Sequence, residues 1–482
     1  MSNKKIPSVK LNYLYNLSYQ LLAVILPLIT TPYISRVLKT EGVGAYSYTY
    51  SIATYFSLFG ILGLNMYGQL KISKIRNDIN RLSEEFWGIF ISKMITSLIS
   101  IFVYMFVIIN AKEYKIIFLA MIIVLIANIF DISWLFQGLE QFKKIVLRNY
   151  LIKLLSLILI FLFVKDKNDI VLYTIILHGS TLLGNLTLWL SLKKYLVKVD
   201  FKDVNIINHI KSSLPYFLPT IASSVYTVLD KSMLGWIIGS DYENGVYEQA
   251  HKIELTAVMI ISSLSTVILP RMSYLHSENK IEEYNKIFQN TLRYVGAMAI
   301  PMTFGLIGVA DTFVPIFLGE GYGKCIILLR IFSFLVILSG INTIIGNQCL
   351  VARGKQSKYN TGVILGALAN LMLNLILIPH MKSVGAAIAS VLAEVVIFII
   401  FIKYCKENIT FIKLTKIWTK YIISAVIMAF AVWCIGMLFN VSLITLIIQI
   451  VSGVIIYLVL LFLLKDELIK DFNKSNQGRI LP

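Results

Sequence analysis

Apolar windows of 18 or more residues recur along the chain, separated by short polar connections. They fall at approximately residues 14–38, 43–64, 87–109, 115–137, 147–164, 169–192, 213–239, 245–269, 291–319, 325–349, 359–379, 383–404, 417–438 and 441–464. At ~1.5 Å rise per residue each is long enough to cross the hydrocarbon layer as a helix. The pattern predicts an all-α integral membrane protein with fourteen transmembrane helices. No connection exceeds about 25 residues, which leaves no room for a soluble catalytic domain.

With the N-terminus placed in the cytoplasm, the connections alternate and their charges can be compared. Only Arg36, Lys39, Lys112, Lys115, Lys165, Lys167, Lys324 and Lys382 fall outside, and roughly four times as many basic residues fall inside. The bias predicts both termini in the cytoplasm. The first apolar segment lacks a small-residue cleavage site and reads as a retained helix.

A repeat appears at a separation near 200 residues. GAYSYTYSI from Gly44 parallels GVYEQAHKI from Gly245, each opening a second helix after a span that begins among prolines. Six spans per half is an even number, so the halves enter the membrane from the same side as parallel repeats. The expected organisation is a six-helix lobe over residues 1–208, a second over 209–412, and two further helices with a cytoplasmic tail over 413–482.

Composition agrees with the membrane reading: 57% of the 482 residues are hydrophobic and 15% charged, against about a quarter charged in soluble domains. The net charge of +18 would raise nucleic acid as a partner in a soluble protein. Here the basic residues sit in loops between spans, so membrane lipid is expected and nucleic acid is not. Cys325, Cys349, Cys405 and Cys434 form no CxxC pair and read as small apolar fillers, with no metal site. P-loop, GxSxG and HExxH motifs are absent, so neither an enzyme nor a bound cofactor is expected.

Candidate chemistry concentrates in residues 214–254, where two spans carry Asp230, Lys231, Lys252 and Glu254. Charges inside spans are costly unless they pair or face water, so these four suggest a polar chamber; a pair of structural salt bridges is the competing reading. Counted along their helices, Asp230 is ~24 Å from the inner end and Lys252 ~12 Å from the outer end, depths comparable with Arg36. With Gln20, Tyr46, Tyr48, Tyr50 and Asn65 the set reads as a mildly basic site suited to phosphate oxygens. Arg36 also reads as an interfacial anchor. Glu394 and His178 lie deep in their spans and are candidates for binding a proton or helping to hold a cation, or for packing within a hydrogen-bonded core. Asp131 and Arg330 read as structural caps or pairs.

The run DISWLFQGLEQFKKIVLRNYLIK from Asp131, with PYISRVLKTEGVGAY from Pro32 and YTVLDKSMLGWIIGSDYENGVYEQAHKI from Tyr226, resembles the Wzx-type repeat-unit flippases. These form the polysaccharide transport family of the multidrug/oligosaccharidyl-lipid/polysaccharide (MOP) exporter superfamily. The resemblance implies two lobes around an alternating-access cavity. It also implies a substrate of undecaprenyl diphosphate bearing an oligosaccharide, moved from the inner to the outer leaflet of the bacterial cytoplasmic membrane for surface polysaccharide synthesis. Polymerase and chain-length proteins of that pathway are the partners it suggests. By this resemblance Arg36, Asp230, Lys231 and Lys252 fall where such transporters keep cavity charges. The alternative is a cation-coupled multidrug exporter of the same superfamily, for which an acidic aromatic cavity and twelve spans are expected.

Overall fold

The computed structural model describes residues 9–199, 205–406, 409 and 411–466; for residues 9–24 and a few positions in later helices it describes backbone alone. The basic residues Lys4, Lys5, Lys202, Lys470, Lys474 and Arg479 of the topology count lie outside the described residues, and Gln20 is described by its backbone only. Among the described residues the fold is helical throughout, without strands. In chain order the helices are α1 (Val9–Ile61), α2 (Leu64–Ile75), α3 (Ile79–Asn110), α4 (Lys115–Ile129), α5 (Ser133–Gly138), α6 (Phe142–Phe163) and α7 (Ile170–Trp189). They continue with α8 (Ile206–Ile238), α9 (Asp241–Ser277), α10 (Ile281–Leu318), α11 (Lys324–Ile344), α12 (Gln356–Tyr404), α13 (Phe411–Leu438) and α14 (Leu443–Leu463).

Helices α1 and α12 each cover two of the predicted spans. Each is broken by one lysine in the left-handed region, Lys39 at φ 58° and Lys382 at φ 55°. Ten helices among the described residues are long and apolar enough to cross a membrane. Helices α1 and α8, which carry Arg36, Lys39 and Glu41 and Lys211, Asp230 and Lys231 respectively, are not among the ten. Large apolar side chains stand exposed along whole helix faces, as Ile444, Val451, Ile455 and Phe462 do on α14. In water such faces would drive association; against lipid tails they are solvated.

The chain divides into two compact units, Met1–Gly245 and Val246–Pro482, the boundary falling inside α9. In the first unit α8 packs on α1, α2 and α3. Where lipid removes the hydrophobic drive, helices are joined by small residues and interhelical hydrogen bonds. Thr96 and Ser97 of α3 accordingly donate to the Gly60 carbonyl of α1 at 2.6 and 3.2 Å, and Ser100 donates to that of Phe56 at 2.5 Å. The DISWLFQGLE run has a packing role: Asp131 accepts from the Ser133 N–H at 2.9 Å in the turn that leads into α5, and Trp134 fills the space a side chain at Gly68 would need.

The two glycines that open the repeat meet at one crossing in this unit. A Cβ on Gly44 would run into the Asp241 backbone, and one on Gly245 into the Thr40 carbonyl. Repeat-equivalent positions thus each press against the segment leading into the other, and only glycine permits the approach.

In the second unit α13 and α14 dock on α10. Trp418 donates to the Leu292 carbonyl and Tyr457 to that of Ala297, both at 3.0 Å. The reading of all four cysteines as fillers is corrected here: Cys349 and Cys405, 56 residues apart, are joined as a disulfide with Cα atoms 6.4 Å apart. Sequence spacing alone carries no information on such a pair, because α11 and α12 bring the two residues together only in the fold.

Candidate functional site

The predicted charges distribute over both units. In the first, Asp230 is buried on α8 beside Tyr55, two residues before Ser232, whose hydroxyl lies 3.2 Å from that of Ser51 and 3.1 Å from that of Tyr55. Lys231 is half-buried next to it. Arg36 is exposed, and its guanidinium donates to the Pro32 carbonyl one turn back at 3.0 Å. His178 of α7 is buried at 3.0 Å from the Tyr46 hydroxyl and stacks on Tyr50 with ring centroids 5.2 Å apart. It belongs to an aromatic cluster that also takes in Tyr173.

A second buried cation explains part of the first unit's polarity. Lys93 is fully enclosed, donating to the Asn65 side-chain oxygen at 3.0 Å and the Asp131 carbonyl at 2.7 Å. Arg148 stands 4.0 Å from the Asp131 carboxylate and donates to Asn185 at 2.9 Å. Buried charges persist in a membrane when satisfied in this way.

In the second unit Lys252 pairs with Glu248 one turn earlier at 3.5 Å and remains about a third exposed. Glu254, two residues on, is buried at 2% exposure, with its carboxylate 3.8 Å from His251. Its other neighbour in the electrostatic sense is Glu394, on α12. The Glu394 carboxylate accepts from Ser339 at 3.0 Å and from the Asn342 amide, which also reaches its backbone carbonyl at 2.9 Å. Sequence reasoning separated these carboxylates, assigning Glu254 to substrate and Glu394 to ion coupling; in the fold Glu254 lies beside His251, Glu394 beside Ser339 and Asn342, and the two carboxylates interact electrostatically. His251, Ser339 and Asn342 were not singled out, and single polar residues in apolar spans give little signal. Arg330 pairs with Asp311 at 2.5 Å, as expected of a structural pair.

The second unit also holds an apolar groove of about 660 Å³ between α10, α13 and α14, floored by Gly305 and Gly453 and walled by Met298, Phe313, Val454 and Leu458. No metal-binding group of three or more histidine, cysteine or acidic residues occurs among the described residues.

Comparison with known proteins follows the same lines. The pattern of the lipid II flippase MurJ family matches residues 154–459. A putative O-antigen transporter of Shigella dysenteriae is 28% identical over 387 residues, 79% of this chain and 96% of the relative. Among solved structures, lipid II flippase MurJ in an inward closed conformation is similar with a TM-score of 0.78 at 17% identity, over 95% of this chain and 100% of that one. An inward-facing multidrug resistance MATE family transporter of the MOP superfamily gives a TM-score of 0.56 at 15% identity, over 82% and 99% of the two chains. The pattern described as polysaccharide biosynthesis protein matches residues 9–276, more than half of the sequence, and the chain, a multi-pass membrane protein, therefore belongs to that family.

Proposed function

We propose that this chain is a flippase that carries undecaprenyl-diphosphate-linked oligosaccharide repeat units from the inner to the outer leaflet of a bacterial cytoplasmic membrane. The observation that carries the reading is its similarity, over nearly the whole length of the relative, to a protein described as an O-antigen transporter. It is not an enzyme in this reading. It crosses the membrane fourteen times, as two parallel lobes over residues 1–208 and 209–412 with α13 and α14 appended, and keeps both termini inside. Polymerase and chain-length proteins of the pathway are its natural neighbours.

The residues divide the labour by chemistry. Arg36 and Lys231 in the first unit and Lys252 in the second are the cations available to a diphosphate, Lys231 next to Asp230 in the chain and Lys252 paired with Glu248 so that they do not stand alone. The apolar groove of α10, α13 and α14 has the composition to accept a polyprenyl chain, whose transfer from lipid costs little there. Glu254 and Glu394 are the groups suited to take up a proton or cation, so that protonation or ion binding on one side of the membrane drives the cycle. His178, hydrogen-bonded within its aromatic cluster, is the weaker candidate for that role.

The buried carboxylates Glu254 and Glu394 also favour a second reading, a cation-coupled multidrug exporter, whose fold the chain shares more loosely. Deleting the gene separates them. The flippase reading expects lipid-linked repeat units to accumulate on the cytoplasmic face and surface polysaccharide to disappear, with drug susceptibility unchanged. Intact surface polymer together with heightened drug susceptibility would overturn it in favour of the exporter.

A further inference from the structure

At one end of the first unit, the ends of α3 and α8 and the starts of α4 and α9 surround a cavity of about 720 Å³. The basic-residue bias assigns this end to the outer face. Its walls are aromatic, from Tyr48, Tyr55, Tyr114 and Trp236, and its polar groups include Asp241 and Asn110. The rings are set at angles, Tyr48 standing edge-on to Tyr114 at 67° with centroids 5.9 Å apart. The Tyr114 hydroxyl donates to the Asp241 carboxylate at 2.9 Å. Tyr114 is held in the left-handed region at φ 59°, an uncommon conformation for a ring-bearing residue. Trp236 is 64% exposed.

We propose that this cavity is an exit subsite for the glycan of the transported lipid, binding the sugar rings after they reach the outer face. The inference rests on the flippase reading and deepens it. Its support is chemical. A pyranose presents C–H groups on its faces and hydroxyls around its edge, so it stacks on electron-rich rings and donates to carboxylates. The cavity offers both, and its volume lies within the roughly 300–1,000 Å³ of small-molecule sites. The two carboxylates Glu113 and Asp241 outnumber the one cation of the lining, Lys112, so the cavity's charge favours a neutral sugar over the diphosphate and phospholipid headgroups. An interfacial belt of tyrosine and tryptophan anchors a helix from its lipid face, ring by ring; here the rings of six residues, Phe56 and Phe118 joining the four above, line one recess together with Glu113 and Asp241.

The test uses the full chain in nanodiscs. The probe is the oligosaccharide released by mild acid from the host cell's own surface polymer, followed by saturation-transfer NMR on its sugar signals. Inorganic pyrophosphate and tetraphenylphosphonium serve as competitors. We expect binding that neither competitor displaces, weakened at least tenfold by Trp236→Leu and by Asp241→Asn and kept within threefold by Trp236→Phe. Should Trp236→Leu fail to fold, the contrast between Trp236→Phe and Asp241→Asn decides. Equal affinity in all variants would overturn the proposal, as would a cavity that takes tetraphenylphosphonium and no oligosaccharide. If no oligosaccharide binds while lipid-linked repeat units are still flipped, the subsite fails and the flippase reading stands; if flipping is absent too, both fail.

Discussion

Substituting alanine for Gly44 probes the crossing at which the two repeat segments meet. The added methyl would overlap the Asp241 backbone, and at Gly245 it would overlap the Thr40 carbonyl. Both obstacles are main chain, so no rotamer change relieves them. Restoring ordinary contact at 3.5–4.0 Å requires the crossing to open by about 1–2 Å. Overpacking of this kind costs ~1–3 kcal/mol. For a unit of this size each kcal/mol lowers Tm by roughly 2–4 °C, so each variant is expected to melt about 2–12 °C below the parent. The assay is thermal unfolding of the purified full chain followed by intrinsic fluorescence. Gly179→Ala is the matched control, because a Cβ there would meet nothing within 4 Å, and removing a helical glycine gains up to about 1 kcal/mol. Combining Gly44→Ala with Gly245→Ala should cost less than the sum, since one opening relieves both contacts. If the two variants melt with Gly179→Ala, the close approach of these segments is not a feature of the native protein.

Four further outcomes are expected. Lys93→Met leaves the Asn65 oxygen and the Asp131 carbonyl without their donor in a buried site, so it should lower stability by ~1–3 kcal/mol, read from thermal melts and membrane protein level. Lys252→Ala removes only a partly exposed pair with Glu248, worth ~0.3–0.5 kcal/mol. If Lys252 and Lys231 meet phosphate, alanine at either should depress complementation of a deletion strain while protein level stays normal; full complementation by both would mark them as structural. Glu254→Gln and Glu394→Gln keep the shape of the side chain and remove its charge, and each is expected to reduce transport at least tenfold and to flatten its dependence on external pH or sodium. Gly305→Leu fills the groove beside Met428 and should impair transport of prenyl-linked substrate with little change in Tm.

Hydrophobic runs located most of the long helices, ten of which are apolar enough to cross a membrane, and the breaks at Lys39 and Lys382 fall between predicted spans, whereas α2 and α5 were not foreseen because they are short. The tertiary contacts were another matter. The Gly44 and Gly245 repeat was visible as a faint echo in sequence, but that the two glycines press on each other's segments depends on a crossing no linear pattern encodes. Asp230, Lys252, Glu254 and Glu394 stood out because charge is rare inside spans, yet their partners did not. Asn342 and Ser339 look like ordinary helix residues until α11 and α12 pack. The joining of Cys349 to Cys405 was illegible for the same reason. The DISWLFQGLE run, which carried the family likeness, packs Trp134 against Gly68 and turns into α5 through the Asp131–Ser133 hydrogen bond, neither of which the linear sequence displays.

Transbilayer movement is tested most directly with the purified chain in liposomes loaded with an undecaprenyl diphosphate oligosaccharide, by following how much glycan an external glycosidase can reach. Protein-free vesicles expose only the outer-leaflet half. With the chain present, we predict that the protected half becomes digestible, and that the gain is lost with Lys231→Ala and Lys252→Ala. Protection unchanged by a folded, correctly inserted protein would contradict its assignment as the carrier of this lipid.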